Sequence, residues 1–164
     1  MAIRLVLNDN ARWSYATAEY YKKHQDAFQG FSLTEYQKII SAVCADGGNA
    51  SCNKRADGCN NHFYEIYDED FLVGEICLTR VIDDKYNDVV IDKGWEMNLA
   101  IYDDYQKQGY GRRAIEKLFE IPELNTLYAC VNSTNPLKVR IENMLQKLGF
   151  NFDGRDSGYW IKNI

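Results

Sequence analysis

Residues 95–120 read WEMNLAIYDDYQKQGYGRRAIEKLFE. This stretch constrains the fold more than any other, because three patterns follow one another in it without a gap. Trp95, Met97, Leu99 and Ile101 occupy alternate positions, with Glu96, Asn98 and Ala100 between them. A period of two over this length predicts a strand with one buried face. Gln106, Gly109 and Gly111 follow in Q-x-x-G-x-G spacing. Ala114, Ile115, Leu118 and Phe119 then recur at helical spacing, flanked by Arg112, Arg113, Glu116 and Lys117. A helix therefore starts directly after the glycines.

A glycine turn that runs into a helix is a candidate anion site. Glycine lets backbone approach a ligand closely and tolerates positive φ. The first four N–H groups of a helix lack intrahelical acceptors, and the helix dipole places partial positive charge there. A phosphate or pyrophosphate suits that end, and Arg112 and Arg113 bring charge beside it. The same spacing also serves a plain strand-to-helix turn, so the glycines alone leave both readings open.

The rest of the chain supplies a sheet around this unit. A length of 164 residues suits one domain over 1–164, and a 46% hydrophobic composition suffices for a folded core. The formal net charge of −5 disfavours a nucleic-acid partner and is compatible with a cationic substrate. No apolar run approaches the ~20 residues of a membrane span. The opening MAIRLVLNDN has too short an apolar part for a secretory leader. A cytoplasmic protein without a membrane partner is expected. Ile3, Leu5 and Leu7 alternate as a first strand. Trp13, Ala16, Thr17, Tyr20 and His24 predict a helix over about 11–26. Ser32 and Glu35 form a capping box ahead of Tyr36, Ile39, Ile40 and Val43, a second helix.

Residues 46–61, DGGNASCNKRADGCNN, are polar and aperiodic, and predict a long loop. Cys44, Cys52, Cys59 and His62 lie in or beside it, without the paired spacing of structural zinc sites. No metal is expected, and five cysteines, an odd number, favour free thiols. Phe63–Tyr67 and 71–81 read as a hairpin, with Gly74 marking a bulge or a close backbone approach. Pro122 ends the helix after the glycines, and 127–131 is another strand. Leu137, Ile141, Met144, Leu145 and Leu148 form the apolar face of a helix over 136–148, opened by Asn135-Pro136 and closed by Gly149. Two short strands, from Phe150 and from Tyr159, end the chain.

This arrangement resembles the GNAT superfamily of N-acetyltransferases. The family's acetyl-CoA motif is a strand, then V-x-P-x-x-[QR]-x-x-G-x-[GA], then a helix. Residues 101–111, IYDDYQKQGYG, match it except that Asp103 stands at the common proline position. A second family segment is a strand, an Asn, a helix and K-x-G-F. Here it is 127–131, Asn135, the helix, and Lys147-Leu148-Gly149-Phe150. Together the matches cover about 72–160. The resemblance implies an α+β fold: a mostly antiparallel mixed sheet of six to seven strands with about four helices. It implies acetyl transfer from acetyl-CoA, as cosubstrate, to a primary amine.

The resemblance also implies roles. Glu96 stands where many members carry a catalytic glutamate, and Asn98 shares its face. The backbone of Leu99, Ala100 and Ile101 would hold the acetyl carbonyl and pantetheine. Gln106, Lys107, Gln108, Gly109, Tyr110 and Gly111, with Arg112, would hold the pyrophosphate, and Asn135 would touch the pantetheine arm. Where members often carry a tyrosine that protonates the leaving thiolate, this chain has Leu145. Tyr102, Tyr105 and Tyr159 are the tyrosines that could replace it. A small amine is the expected acceptor. A protein or peptide amine and a non-catalytic CoA-binding module are the alternatives, and a monomer or homodimer is expected.

Overall fold

The computed structural model describes residues 2–8, 14–24, 54–55, 58–59, 61–83, 91–153 and 159–164. In chain order the elements are β1 (Ile3–Leu7), α1 (Tyr15–Lys23), β2 (Lys54–Arg55), β3 (Gly58–Cys59), β4 (Asn61–Asp68), β5 (Phe71–Asp83) and β6 (Ile91–Ile101). A 3-10 turn at Asp103–Tyr105 leads to α2 (Tyr110–Leu118), β7 (Thr126–Cys130), α3 (Lys138–Lys147), β8 (Asn151–Asp153) and β9 (Tyr159–Asn163). Seven strands form one mixed sheet in the order β1-β4-β5-β6-β7-β9-β8, an α+β architecture. All neighbours are antiparallel except β6 and β7, which are parallel.

The core lies on one face of this sheet. Ile66, Ile76, Leu78, Trp95, Met97 and Leu127 meet Ala114, Ile115 and Leu118 of α2 and Leu145 of α3 there. The alternation read in 95–101 holds: Trp95 and Met97 are buried in this cluster, and Leu99 and Ile101 pack partly against it. Cross-strand partners share a face. Glu75 opposite Ala100, Cys77 opposite Asn98 and Thr79 opposite Glu96 therefore lie on the other face. Helix α1 lies against that face, with its Thr17 hydroxyl bonded to Glu75.

Gly74 fulfils both expectations. The register slips at Ile66/Tyr67 on β4, beside its partner position. A Cβ on Gly74 would stand 2.2 Å from the Ala100 carbonyl oxygen. Several boundaries differ from the sequence reading. Helix α1 spans Tyr15–Lys23 within the expected 11–26, of which 11–13, 25 and 26 lie outside the described residues. Helix α2 ends at Leu118, short of Pro122, because i→i+3 bonds from Phe119, Glu120 and Ile121 tighten its last turn. Helix α3 begins at Lys138 rather than at Pro136, because the Asn135 side chain takes the Leu137 N–H at 2.8 Å and holds the segment in a turn. The loop expected over 46–61 contains a short ladder, Lys54 opposite Cys59 and Arg55 opposite Gly58. Three α-helices lie among the described residues, fewer than the four expected. The second expected helix, the end of the first, Cys44, Cys52 and the turn at 154–158 lie outside the described residues. No helix among the described residues is long and apolar enough to cross a membrane.

Candidate active site

The sheet opens where β6 meets β7. Only Trp95–Leu127 and Glu96–Tyr128 pair, although β6 continues to Ile101 and β7 to Cys130. Past Glu96 the strands part. Gly94 permits their close approach before that point: it holds φ of 113°, and a Cβ would lie 2.4 Å from the Thr126 carbonyl oxygen.

The parting leaves specific backbone groups open. The Tyr102 N–H donates to the Val73 carbonyl at 3.1 Å, which fixes the phase of the β5–β6 ladder. Alternate residues of an antiparallel strand point their N–H and C=O to opposite sides. Ala100 and Asn98 thus turn their backbone groups to β5, and Leu99 and Ile101 turn theirs toward the gap. Of the three residues expected to hold the cosubstrate through backbone, Leu99 and Ile101 are free to do so. Ala100 is buried with its backbone in the β5 ladder. The Ile101 carbonyl already accepts Gln106 Nε2 at 3.1 Å, which leaves its N–H.

A cleft of about 930 Å³ extends from this gap. Its walls include Leu99, Ile101, Gln106, Lys107, Gly109, Tyr110, Gly111, Arg112 and Asn135, so most of the sequence-derived residues converge on one space. Gly109 begins α2 in the left-handed conformation, with φ of 84° and no side-chain cap. The first intrahelical bond runs from the Arg113 N–H to the Gly109 carbonyl. The N–H groups of Tyr110, Gly111 and Arg112 thus precede the helical ladder at the positive end of the dipole. Gly111 has an ordinary φ, and a Cβ there would meet Leu99 at 3.4 Å, an acceptable contact. The neighbouring protein atoms thus leave room for a Cβ at 111. Lys107, Arg140 and Lys147 add positive charge to the cleft in a chain of net charge −5.

Some side chains in the turn are committed elsewhere. Gln106 Nε2 bonds Tyr20 Oη at 3.0 Å as well as the Ile101 carbonyl, so its amide braces the turn. Gln108 Nε2 donates to the Asp104 carbonyl at 2.8 Å. Tyr110 is buried: its hydroxyl donates to Asp68, its ring meets Tyr105 edge-on, and Arg113 lies over it. Arg112 pairs with Glu116 at 2.9 Å on the exposed helix face. The Asn135 Oδ1 is used by Leu137. These residues can meet a ligand mainly through backbone or a remaining donor.

Glu96 and Asn98 stand on the sheet face away from the core, beside the parting point. Burial pushes the Glu96 carboxyl above the ordinary carboxylate range, opposed by a hydrogen bond from Tyr159. Tyr159 meets Tyr128 edge-on at 6.3 Å, and Tyr128 is the β7 partner of Glu96. Sequence reasoning had named Tyr159 only as one of three tyrosines, because nothing local in the sequence shows that β9 lies beside β7. Leu145 is buried in the core, 1% exposed. Sequence reasoning missed Glu75. It is fully buried, and burial raises its carboxyl pKa against hydrogen bonds from Thr17 and Ser14. Its apolar neighbours Gly74 and Ile76 had masked it as one residue of a strand. Cys77 and Cys130 are free thiols, and the buried Cys77 thiol is pushed up to about 12 by desolvation. Among the described residues no three His, Cys, Asp or Glu side chains are grouped to hold a metal.

No family profile and no curated protein matches the sequence. Solved structures do. The aminoglycoside acetyltransferase AAC(6')-Ib in complex with coenzyme A superposes with a TM-score of 0.61 at 15% identity, covering 99% of this chain and 95% of that one. The spermidine/spermine N-acetyltransferase SpeG from Vibrio cholerae gives 0.59 at 13% identity, with coverage of 99% and 95%. An acetyltransferase of the GNAT family from Desulfovibrio desulfuricans gives 0.57 at 12% identity, with 99% of both chains covered. The chain has the fold of the GNAT N-acetyltransferases.

Proposed function

We propose that this chain, as one domain over 1–164, transfers an acetyl group from acetyl-CoA to a primary amine of a small, cationic molecule. The observation that carries the reading is the coincidence of two donor sets in one cleft. The strand edge at Leu99 and Ile101 and the uncapped N-terminus of α2 face the same space, with Gly111 offering no side chain between them. An extended pantetheine arm with amide groups fits the first, and a pyrophosphate fits the second. Acetyl-CoA, when bound, supplies the thioester.

The chain's own residues then have defined tasks. Glu96 takes the proton from the ammonium of the acceptor. Its burial makes it a stronger base than a solvated carboxylate. A backbone N–H at the open edge of β6 stabilises the oxyanion of the tetrahedral intermediate. As that intermediate collapses the N–C bond stays, the C–S bond breaks, and the second proton that the nitrogen must lose passes to the leaving thiolate through solvent or a nearby hydroxyl. Asn98, exposed on the same face, orients the amine or a water. The Tyr128 and Tyr159 rings beside Glu96 suit a cationic acceptor. Comparison structures that act on aminoglycosides and on spermidine or spermine support that class. The test is thiol release from acetyl-CoA across a panel of diamines, polyamines, aminoglycosides and peptides. Release with the small cations is expected, and Glu96→Gln should lower it by about 100-fold at pH 7 with CoA affinity nearly intact. Release with peptides alone would contradict the substrate class.

A further inference from the structure

Helix α1 touches the segment between β6 and the glycine turn at three places. That segment, residues 102–106, launches the turn that the preceding reading gives to the pyrophosphate. At the start of the helix, Ser14 caps it by accepting the Thr17 N–H at 3.3 Å. The Ser14 N–H donates to both Glu75 oxygens, at 3.2 and 3.1 Å, and its hydroxyl donates to Oε2 at 2.7 Å. The Thr17 hydroxyl also reaches Glu75, and Tyr102 Oη lies 2.8 Å from Thr17 Oγ1. At the other end Tyr20 Oη accepts from Gln106, Lys23 pairs with Asp103, and His24 Nε2 lies 2.8 Å from Asp103 Oδ1. Residues 102, 103 and 106 are thus all held by one helix, and that helix is fixed through its first turn to one fully buried carboxyl group.

The need for such bracing is visible in the backbone. Tyr102 is extended, with φ of −66° and ψ of 151°, and Asp103 opens a 3-10 turn. This is a position a proline would fit, since the residue before it is already extended and no backbone carbonyl among the described residues accepts the Asp103 N–H. Proline would fix φ by its own ring. Aspartate does not, but its carboxylate gives Lys23 and His24 something to hold.

We infer that α1 is a clamp on the 102–106 corner, and that Glu75 and Tyr20 are positioning residues for the glycine turn. The clamp replaces the rigidity that a proline at 103 would supply. Glu75 does not line the cleft; it acts through α1 and through its own contact with Tyr102 Oη at 3.4 Å. Helix α1 meets Glu75 on the same sheet face that carries Glu96.

The decisive experiment is hydrogen exchange at residues 106–112 in the unliganded full chain, for Glu75→Gln, Tyr20→Phe and the double variant. Exchange in the turn should quicken about tenfold in each single variant and no further in the double, because both cut the same connection. Core amides of β5 and β7 should be unchanged. Asp103→Ala should loosen the turn, and Asp103→Pro, which loses the same ion pairs, should not. CoA affinity should fall by about tenfold in step with the loosening. Unchanged turn exchange in folded Tyr20→Phe, or additive effects in the double variant, would overturn the clamp. Tyr20→Phe removes one half-buried hydroxyl, so it carries the test even if Glu75→Gln does not fold. A wild type that fails to bind CoA would remove the proposed function, while the exchange pattern would still decide the clamp.

Discussion

Glu96 feels two opposed influences, and the balance sets a measurable pH dependence. Burial raises its pKa and the hydrogen bond from Tyr159 lowers it. A base must be ionised to act, so the role proposed for Glu96 predicts that activity rises with pH through its pKa, above the range of a solvated glutamate. Tyr159→Phe removes the lowering contribution. Its acid limb should move to higher pH, with a smaller change at the plateau; a pH–rate profile identical to wild type would show that Tyr159 does not address Glu96. At the turn, the two glycines have separable reasons. Gly109→Ala should destabilise the fold by about 1 kcal/mol, because alanine pays for φ of 84°, and denaturant unfolding checks this. Gly111→Ala meets only an acceptable contact, so its fold stability should be unchanged. The alternation around Glu96 and the glycine spacing are local, and the sequence displays both. The Tyr159–Glu96 contact and the role of Glu75 depend on which strands are neighbours and on where α1 rests. No pattern within a single segment carries that information.

Strands and helices were legible in type and less so in their ends. Alternation placed β1 and β6, and apolar spacing placed α2 and α3. The boundary errors share a cause: side-chain and i→i+3 bonds decide the ends, as the Asn135 side chain does for α3 and the tightened last turn does for α2. The β5–β6 contact rests on Gly74. A methyl group there would strike a main-chain oxygen that cannot rotate away. Gly74→Ala should therefore cost about 3 kcal/mol, read as a drop in the denaturation midpoint without a change in slope. Leu127→Ala, fully buried beneath α2 and beside the parting strands, should cost about as much by leaving a cavity. An unchanged midpoint in either variant would place these contacts outside the cooperative core.

At the scale of the molecule, the proposed function rests on one opening in the sheet. Five of the six neighbouring strand pairs form antiparallel ladders, two of them with a register shift, whereas β6 and β7 share two parallel residue pairs and then diverge. The sequence shows a strand before the glycines and a strand after α2, but not that they part, because parallel pairing and its interruption are tertiary facts. The parting leaves a strand edge open toward a helix N-terminus, the surface to which the proposed function assigns acetyl-CoA; of this the sequence shows only the glycine turn as a candidate anion site. A calorimetric titration of acetyl-CoA into the wild type and Gly111→Asp tests this claim most directly. A Cβ at 111 meets only ordinary contacts and an acidic side chain suits the helix dipole, so the variant should fold, which denaturant unfolding checks. The wild type should bind, and the variant should bind at least about 100-fold more weakly, because the carboxylate occupies the place of the pyrophosphate. Equal affinity in the two proteins would contradict the assignment of the turn, and with it the function proposed for the cleft.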